Sequence, residues 1–228
     1  MFKNFARPLL LAATVIGLGL AATAPAMADA ERQALVNDAT KTATTLITGP
    51  DFPDVARLLP RAKAVVIFPN MVQAGFIVGG AGGRGVMLVR TGPNRWSYPA
   101  FYFLGAGSVG FQIGAKVSES ILIVLTDKGL NALLQDKFKF GAEAGVTVVS
   151  LGAGVGGSTT TAAGADIVAY AKSVGLFAGG ALEGSYVSPD SDWNKLYYGG
   201  APTNRSILFD GRFSNPGAEP LRSLLSRY

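Results

Sequence analysis

The stretch FIVGGAGGRGVMLVR, Phe76 to Arg90, decides how the rest of the chain is interpreted. Its glycines Gly80, Gly82 and Gly85 have the G-x-G-x-x-G spacing of a dinucleotide-binding loop. Such a loop must open a helix, because the helix N-terminus faces the phosphates. The residues that follow, Val86 to Val89, are instead typical of a strand. The glycines therefore predict a turn or bulge between two strands.

A second match to the same motif, at residues 152–157, leads to the same conclusion. It precedes the β-prone run Ser158 to Thr161, which is poor helix material. Val86 and Ser158 also stand where a P-loop would have its lysine. Two chance matches are unsurprising in a chain with 30 glycines. The sequence thus predicts no nucleotide partner and no cofactor.

Short runs rich in Val, Ile and Phe continue on both sides of this stretch and predict consecutive strands of an antiparallel sheet. These runs are Val65 to Phe68, Gly75 to Val78, Val86 to Arg90, Trp96 to Phe103, Val109 to Val117 and Ile121 to Leu125. Glycine is tolerated inside strands where a sheet bends sharply or another backbone comes close. Its frequency here predicts a strongly coiled, barrel-like sheet.

Helices are predicted before, within and after the sheet. Apolar residues recur at three- and four-residue steps from Glu31 to Thr48, and a short helix follows from Pro53. Further helices are predicted at Lys128 to Leu134, Trp193 to Tyr198 and Ala218 to Ser226. We expect one α+β domain with a helical cap over about residues 29–60, a sheet body over about 63–187 and C-terminal helices over about 190–228.

The amino terminus is typical of a secretory signal. Lys3 and Arg7 precede the apolar run Leu9 to Leu20, and small residues lead to Ala26-Met27-Ala28. We expect cleavage of residues 1–28 and a mature chain that begins near Asp29. This prediction places the protein in the periplasm, either free or peripheral on the inner or outer membrane.

The composition excludes several classes of function. The chain has no His and no Cys, so it can build neither a Ser-His-Asp or Cys-His catalytic site nor a zinc site with His or Cys ligands. Its formal net charge of +5 falls to +3 if Lys3 and Arg7 are removed, which is too low a density to predict nucleic-acid binding. Asp190 and Asp192 favour a helix N-cap over a metal site, because the calcium-loop ligand series is incomplete.

Four blocks of the mature chain resemble, in order and spacing, the SYLF domain family. They are AKAVVIFPNMVQAGFIVGGAGGRGVMLVR (62–90), WSYPAFY (96–102), GFQIGAKVSESILIVLTDKGLNALL (110–134) and GLFAGGALEGSYVSPDSDWNKLYYG (175–199). The resemblance implies binding of lipids with anionic head groups and no enzymatic activity. Actin binding belongs to certain eukaryotic members, and we do not expect it of an exported bacterial chain. Residues 154–157 depart from the G-P-x-G found in eukaryotic relatives.

Peripheral lipid binding requires cations at head-group height and aromatic or apolar groups beside them. Three clusters meet that description and form the predicted lipid-binding set: Arg57, Arg61 and Lys63; Arg84, Arg90, Arg95 and Trp96; Lys137, Phe138 and Lys139. Each cluster taken alone is also compatible with a solvated face whose aromatics point inward. A lipid tail held in a cavity inside the sheet is another mode that the sequence leaves open.

Two other functions remain compatible with the sequence. Gly-rich strands with exposed edges suit a structural or interaction protein of the envelope. Alternating strands and the terminal Tyr228 also suit an integral outer-membrane β-barrel, although the runs at Val65 to Phe68 and Ile121 to Leu125 are apolar on both faces. The sequence does not determine the oligomeric state.

Overall fold

The computed structural model of this protein describes residues 24–75, 78–109, 114–140, 144–151, 164–174 and 185–228. The helices are α1 (Ala24–Thr48), α2 (Pro53–Leu58), α3 (Asp127–Leu133), α4 (Ser191–Tyr198), α5 (Asn204–Leu208) and α6 (Glu219–Leu225). Single 3-10 turns lie at Leu59–Arg61 and Pro216–Ala218. The strands are β1 (Ala64–Gly75), β2 (Val78–Gly92), β3 (Arg95–Trp96), β4 (Ala100–Val109), β5 (Gly114–Val124), β6 (Phe138–Lys139), β7 (Val146–Leu151), β8 (Ile167–Val174) and β9 (Tyr186–Pro189).

The strands form one curled sheet in the order β6-β9-β4-β2-β1-β5-β8-β7, with the short β3 paired to the end of β2. The predicted α+β class and single domain are confirmed, and the sheet curves into half a barrel. Its pairs are antiparallel as predicted, except that β7 runs parallel to β8. Residues 152–166 separate these two strands, which meets the dozen or so residues that a parallel connection requires.

Both faces of the sheet are covered along the half where β1 begins. On β1, Val65 and Ile67 point toward α1, α2 and α6, while Val66 and Phe68 point toward the opposite face. The second face is packed by α3, α5 and the β6 region. The same alternation on β2, β4, β5 and β8 produces two buried apolar layers. The runs that are apolar on both faces are therefore explained by helices on both sides.

The glycines of the opening stretch lie within β2, opposite a bulge in β1. The register shifts between the pairs Ile67↔Val86 and Val72↔Gly82. A Cβ on Gly85 would lie 2.3 Å from the carbonyl oxygen of Ile67, and one on Gly83 would lie 2.5 Å from that of Asn70. Only glycine permits this approach. The predicted strand after these glycines is confirmed, but the glycines do not join two strands: they lie inside β2, and the bulge is in the facing part of β1.

The predicted helices are present, with ends shifted by one or two residues except at the start of α1. Asp190 caps α4, since its Oδ1 accepts a hydrogen bond of 3.1 Å from the Trp193 amide, and Gly199 follows the helix with φ of +73°. Helix α5 was not predicted. Residues 1–23 of the predicted signal lie outside the described part, and α1 begins at Ala24, ahead of the predicted Glu31. Among the helices described, none is long and apolar enough to cross a membrane.

Candidate functional site

A pocket of about 470 Å³ opens at the end of the sheet where β1 begins and β2 ends. The backbone of Lys63 joins the neighbouring strands here: its amide donates to Val124 of β5, and its carbonyl accepts from Arg90 of β2, both at 2.8 Å. Helix α3 begins directly after β5, so Asp127 reaches the same opening. The pocket thus forms where the chain enters or leaves three adjacent strands.

Arg90 is the most tightly held cation of the pocket. Its Nε donates to the carbonyl of Ala62 at 2.9 Å and its Nη2 to that of Leu59 at 2.7 Å. Its guanidinium carbon lies 4.5 Å from the ring centroid of Trp96. Partial burial lowers the pKa of Arg90, but a guanidinium stays protonated. Arg90 therefore orders the turn that carries Arg61, and its guanidinium has N–H groups beyond the two that bind these carbonyls.

Lys63 and Arg61 complete the basic side of the pocket. The Lys63 ammonium lies 2.8 Å from Asp127 Oδ1, in an ion pair that is largely open to solvent. Arg61 is exposed and has no ion pair among the residues that the structure describes. Three of the ten sequence-predicted residues, Arg61, Lys63 and Arg90, are thus brought together around one opening.

The pocket also has apolar lining residues, one of which sequence reasoning missed. They include Leu130 of α3 and Phe209, which follows α5. Phe209 is 42% exposed, which is unusual for so large an apolar side chain. Arg205 lies 6.0 Å from the Phe209 ring centroid. The sequence places Arg205 four residues before Phe209, a spacing that brings a cation beside an aromatic on a helix. This signal could be used only if α5 had been recognised.

Arg95 and Trp96 have different positions around this site. A Cβ on Gly92, which lines the pocket, would lie 3.3 Å from the Arg95 Nε, so the exposed Arg95 lies beside the opening. Trp96 is 1% exposed, and its indole Nε1 donates to the carbonyl of Leu225 at 3.0 Å. Trp96 therefore supports the pocket from the core and presents no surface for lipid contact.

Arg57 and Arg84 lie apart from the pocket and have partners of their own. Arg57 is exposed on α2 and pairs with Asp54 one helical turn away. Arg84 Nε donates to Asp190 Oδ2 at 2.8 Å, and its guanidinium carbon lies 4.5 Å from the Trp193 ring centroid. The predicted cluster of Arg57 with Arg61 and Lys63 therefore divides: the latter two line the pocket and Arg57 does not.

The third predicted cluster lies at β6 and the residue before it, on an edge strand of the sheet. Lys137 and Lys139 are exposed, and the Lys137 ammonium lies 4.1 Å from the Tyr186 ring centroid. Phe138 is fully buried and contacts Phe140 edge to face, with ring centroids 5.0 Å apart. Only the two lysines of this cluster face solvent.

The side chains that line the pocket are suited to binding an anion. The pocket contains three cations, one carboxylate and the hydroxyl of Thr91. In the part of the chain that the structure describes, no three acidic side chains gather in a way that could hold a metal ion. A phosphate could be held by Arg61, Lys63 and Arg90 while an attached apolar group contacts Leu130 and Phe209.

Comparisons with known proteins agree with the block pattern found in the sequence. The family profile described as "Ysc84: Las17-binding protein actin regulator" matches residues 105–228. The SH3 domain-containing YSC84-like protein 1 of Bos taurus is 31% identical over 189 residues, covering 82% of this chain and 55% of the bovine protein. Protein YSC84 of Saccharomyces cerevisiae is 29% identical over 171 residues, covering 74% of this chain and 36% of the yeast protein. The chain thus spans about half or less of these relatives.

Proposed function

This chain belongs to the Ysc84 family, the family of the SYLF domain, and from that premise we propose that it is a non-enzymatic protein that binds anionic phospholipid. The family is one of binding domains. The pocket lined by Arg61, Lys63, Arg90 and Phe209 is the proposed contact with the membrane. The bacterial envelope is the proposed location, supported by the signal-like residues 1–28.

The observation that carries this proposal is the convergence of cations and an exposed aromatic at one opening. Arg61, Lys63 and the adjacent Arg95 are at least partly exposed at the same end of the sheet as Phe209. Each cation near an anionic membrane contributes about 1 kcal/mol. Burying the exposed 42% of Phe209 in the interface contributes about 1 kcal/mol, less than half of the value for a fully exposed Phe. These values suit reversible, salt-sensitive docking.

Co-sedimentation with liposomes of graded phosphatidylglycerol content tests the proposal directly. We expect binding that rises with phosphatidylglycerol and falls at high salt, because exposed charges are screened over about 8 Å at physiological ionic strength. Arg61→Glu should weaken binding by about 30-fold, since it replaces an attraction of about 1 kcal/mol with a repulsion of similar size. Lys41→Glu is the matched control, because Lys41 is exposed on α1 and does not line the pocket.

Phe209→Ala tests the apolar part of the contact. We expect binding to weaken by about fivefold with little change in thermal stability, because the side chain is 42% exposed in the free protein. Leu196→Ala is its control, since Leu196 is 52% exposed on α4 and does not line the pocket. Equal losses for Phe209→Ala and Leu196→Ala, or for Arg61→Glu and Lys41→Glu, would contradict the assigned surface.

Actin is a second candidate partner, because the matched family profile is described as an actin regulator. We propose that this chain, once exported, does not meet actin. The ground for this proposal is the signal-like amino terminus, whereas the comparisons point to actin regulators among the relatives. Co-sedimentation with actin filaments, run beside the liposome assay, decides between the partners. Filament binding that survives Arg61→Glu would assign the protein an actin surface separate from the pocket.

A further inference from the structure

One carboxylate, that of Asp127, lies among the cations of the pocket, in the first turn of α3, where a negative charge is modestly favourable but does not cap the helix. The N-cap of α3 is Thr126, whose Oγ1 accepts the Gly129 amide at 3.0 Å. The Asp127 side chain is 76% exposed, and its Oδ1 lies 2.8 Å from the Lys63 ammonium. An exposed ion pair of this kind contributes little to stability. Asp127 is therefore available to act on whatever enters the pocket.

A carboxylate beside three cations favours some anionic ligands over others. The preference depends on the negative charge of the ligand and on whether the ligand has hydrogen-bond donors. A phosphodiester carries one negative charge and can bind Arg61 and Arg90 with limited repulsion from Asp127. A phosphomonoester carries about −1.5 to −2 at neutral pH, so the same carboxylate repels it more strongly. An ionised carboxylate is also a pure acceptor, which hydroxyl groups attached to the phosphate can satisfy.

We propose that Asp127 makes the pocket select a phosphodiester head group bearing hydroxyl donors, of the phosphatidylglycerol type, over a phosphomonoester such as phosphatidic acid. The phosphate binds Arg61 and Arg90, and the hydroxyls donate to the Asp127 carboxylate, which partly leaves Lys63. This inference rests on the proposed lipid binding and adds the residue that sets head-group preference. It follows the general rule that specificity needs a repulsive element against the wrong ligand.

The test compares vesicles that contain phosphatidylglycerol with vesicles that contain phosphatidic acid, adjusted to the same electrophoretic mobility. The wild-type protein should bind the phosphatidylglycerol vesicles more tightly. Asp127→Asn should shift the ratio of the two dissociation constants toward phosphatidic acid by about fivefold. The control Asp136→Asn makes the same charge change at an exposed acid that does not line the pocket, and it should leave the ratio unchanged.

Soluble glycerophosphoglycerol and glycerol 3-phosphate, used as competitors, separate pocket binding from attraction to the vesicle surface. The first should displace wild-type protein from vesicles at lower concentration, and Asp127→Asn should narrow that difference. Asp127→Ser provides a second neutral variant in case the asparagine perturbs α3. If the ratio of the two dissociation constants is the same in Asp127→Asn, Asp127→Ser and wild type, the proposed role of Asp127 in lipid selection is wrong. Failure of the wild type to bind either vesicle would instead overturn the proposed function.

Discussion

Replacement of Arg90 tests how the pocket is held together. Arg90→Ala removes two hydrogen bonds from a charged donor, to the carbonyls of Leu59 and Ala62, and the stacking of the guanidinium on Trp96. Each hydrogen bond from a charged donor contributes about 1.5 kcal/mol net and the stacking about 0.5–1 kcal/mol. We therefore expect a loss of about 4 kcal/mol in the free energy of unfolding. For a chain of this size, that corresponds to a fall in Tm of about 8–16 °C.

Arg90→Lys separates charge from geometry. Lysine keeps the positive charge, but a single ammonium reaches one of the two carbonyls and cannot stack as a plane. We expect about half the loss of Arg90→Ala, measured by urea unfolding with tryptophan fluorescence, which Trp96 should report. Arg95→Ala is the control and should change stability by less than about 0.5 kcal/mol, since Arg95 is exposed. Equal stability of Arg90→Ala and wild type would refute the proposed anchoring.

Two further predictions concern the sheet and the acid response. Gly85→Ala should lower the free energy of unfolding by about 3 kcal/mol, because the new Cβ would lie 2.3 Å from the Ile67 carbonyl oxygen. Gly145→Ala is the control and should lower it far less in the same urea assay, since its Cβ would lie no closer than 3.6 Å to other atoms. The pKa of Asp166 lies below its ordinary 3.8, because the carboxylate accepts hydrogen bonds from Thr126 and the Gly145 amide and lies near Lys128. The ionised carboxylate therefore stabilises the fold above pH 3.8, and this contribution is lost as the pH falls through the lower folded-state pKa. Asp166→Asn should thus lower the free energy of unfolding by about 2 kcal/mol at pH 7. Unfolding measured over a pH series should show the difference from wild type becoming smaller as the pH falls.

The local elements were predictable because their signals are short-range. Apolar residues at three- and four-residue steps and a capping Asp190 identify helices from neighbouring residues alone. The failure of a helix to follow Gly85 was enough to predict a strand and exclude a nucleotide loop. Helix α5 was missed because it has only five residues, too few for periodicity to be visible.

The exposure of individual aromatics was less predictable. Trp96 and Phe138 stand beside cations in the sequence, which suggests an interface, yet both are buried. Period-two alternation identifies the outward side of a strand only when one face of the sheet meets water. Here helices cover both faces along the half of the sheet near the pocket, so neighbouring residues on one strand are both buried.

The sequence by itself determined the class of elements, the strand that follows the glycines and the absence of His- and Cys-based chemistry, because each depends on residue type or near neighbours. Only the tertiary structure decided which cations meet. Arg61, Arg90, Asp127 and Phe209 are far apart in the chain and converge because β1 lies between β2 and β5 in the sheet, with α3 and α5 packed on one face. Strand order and the choice of face arise from long-range packing, which no local pattern encodes.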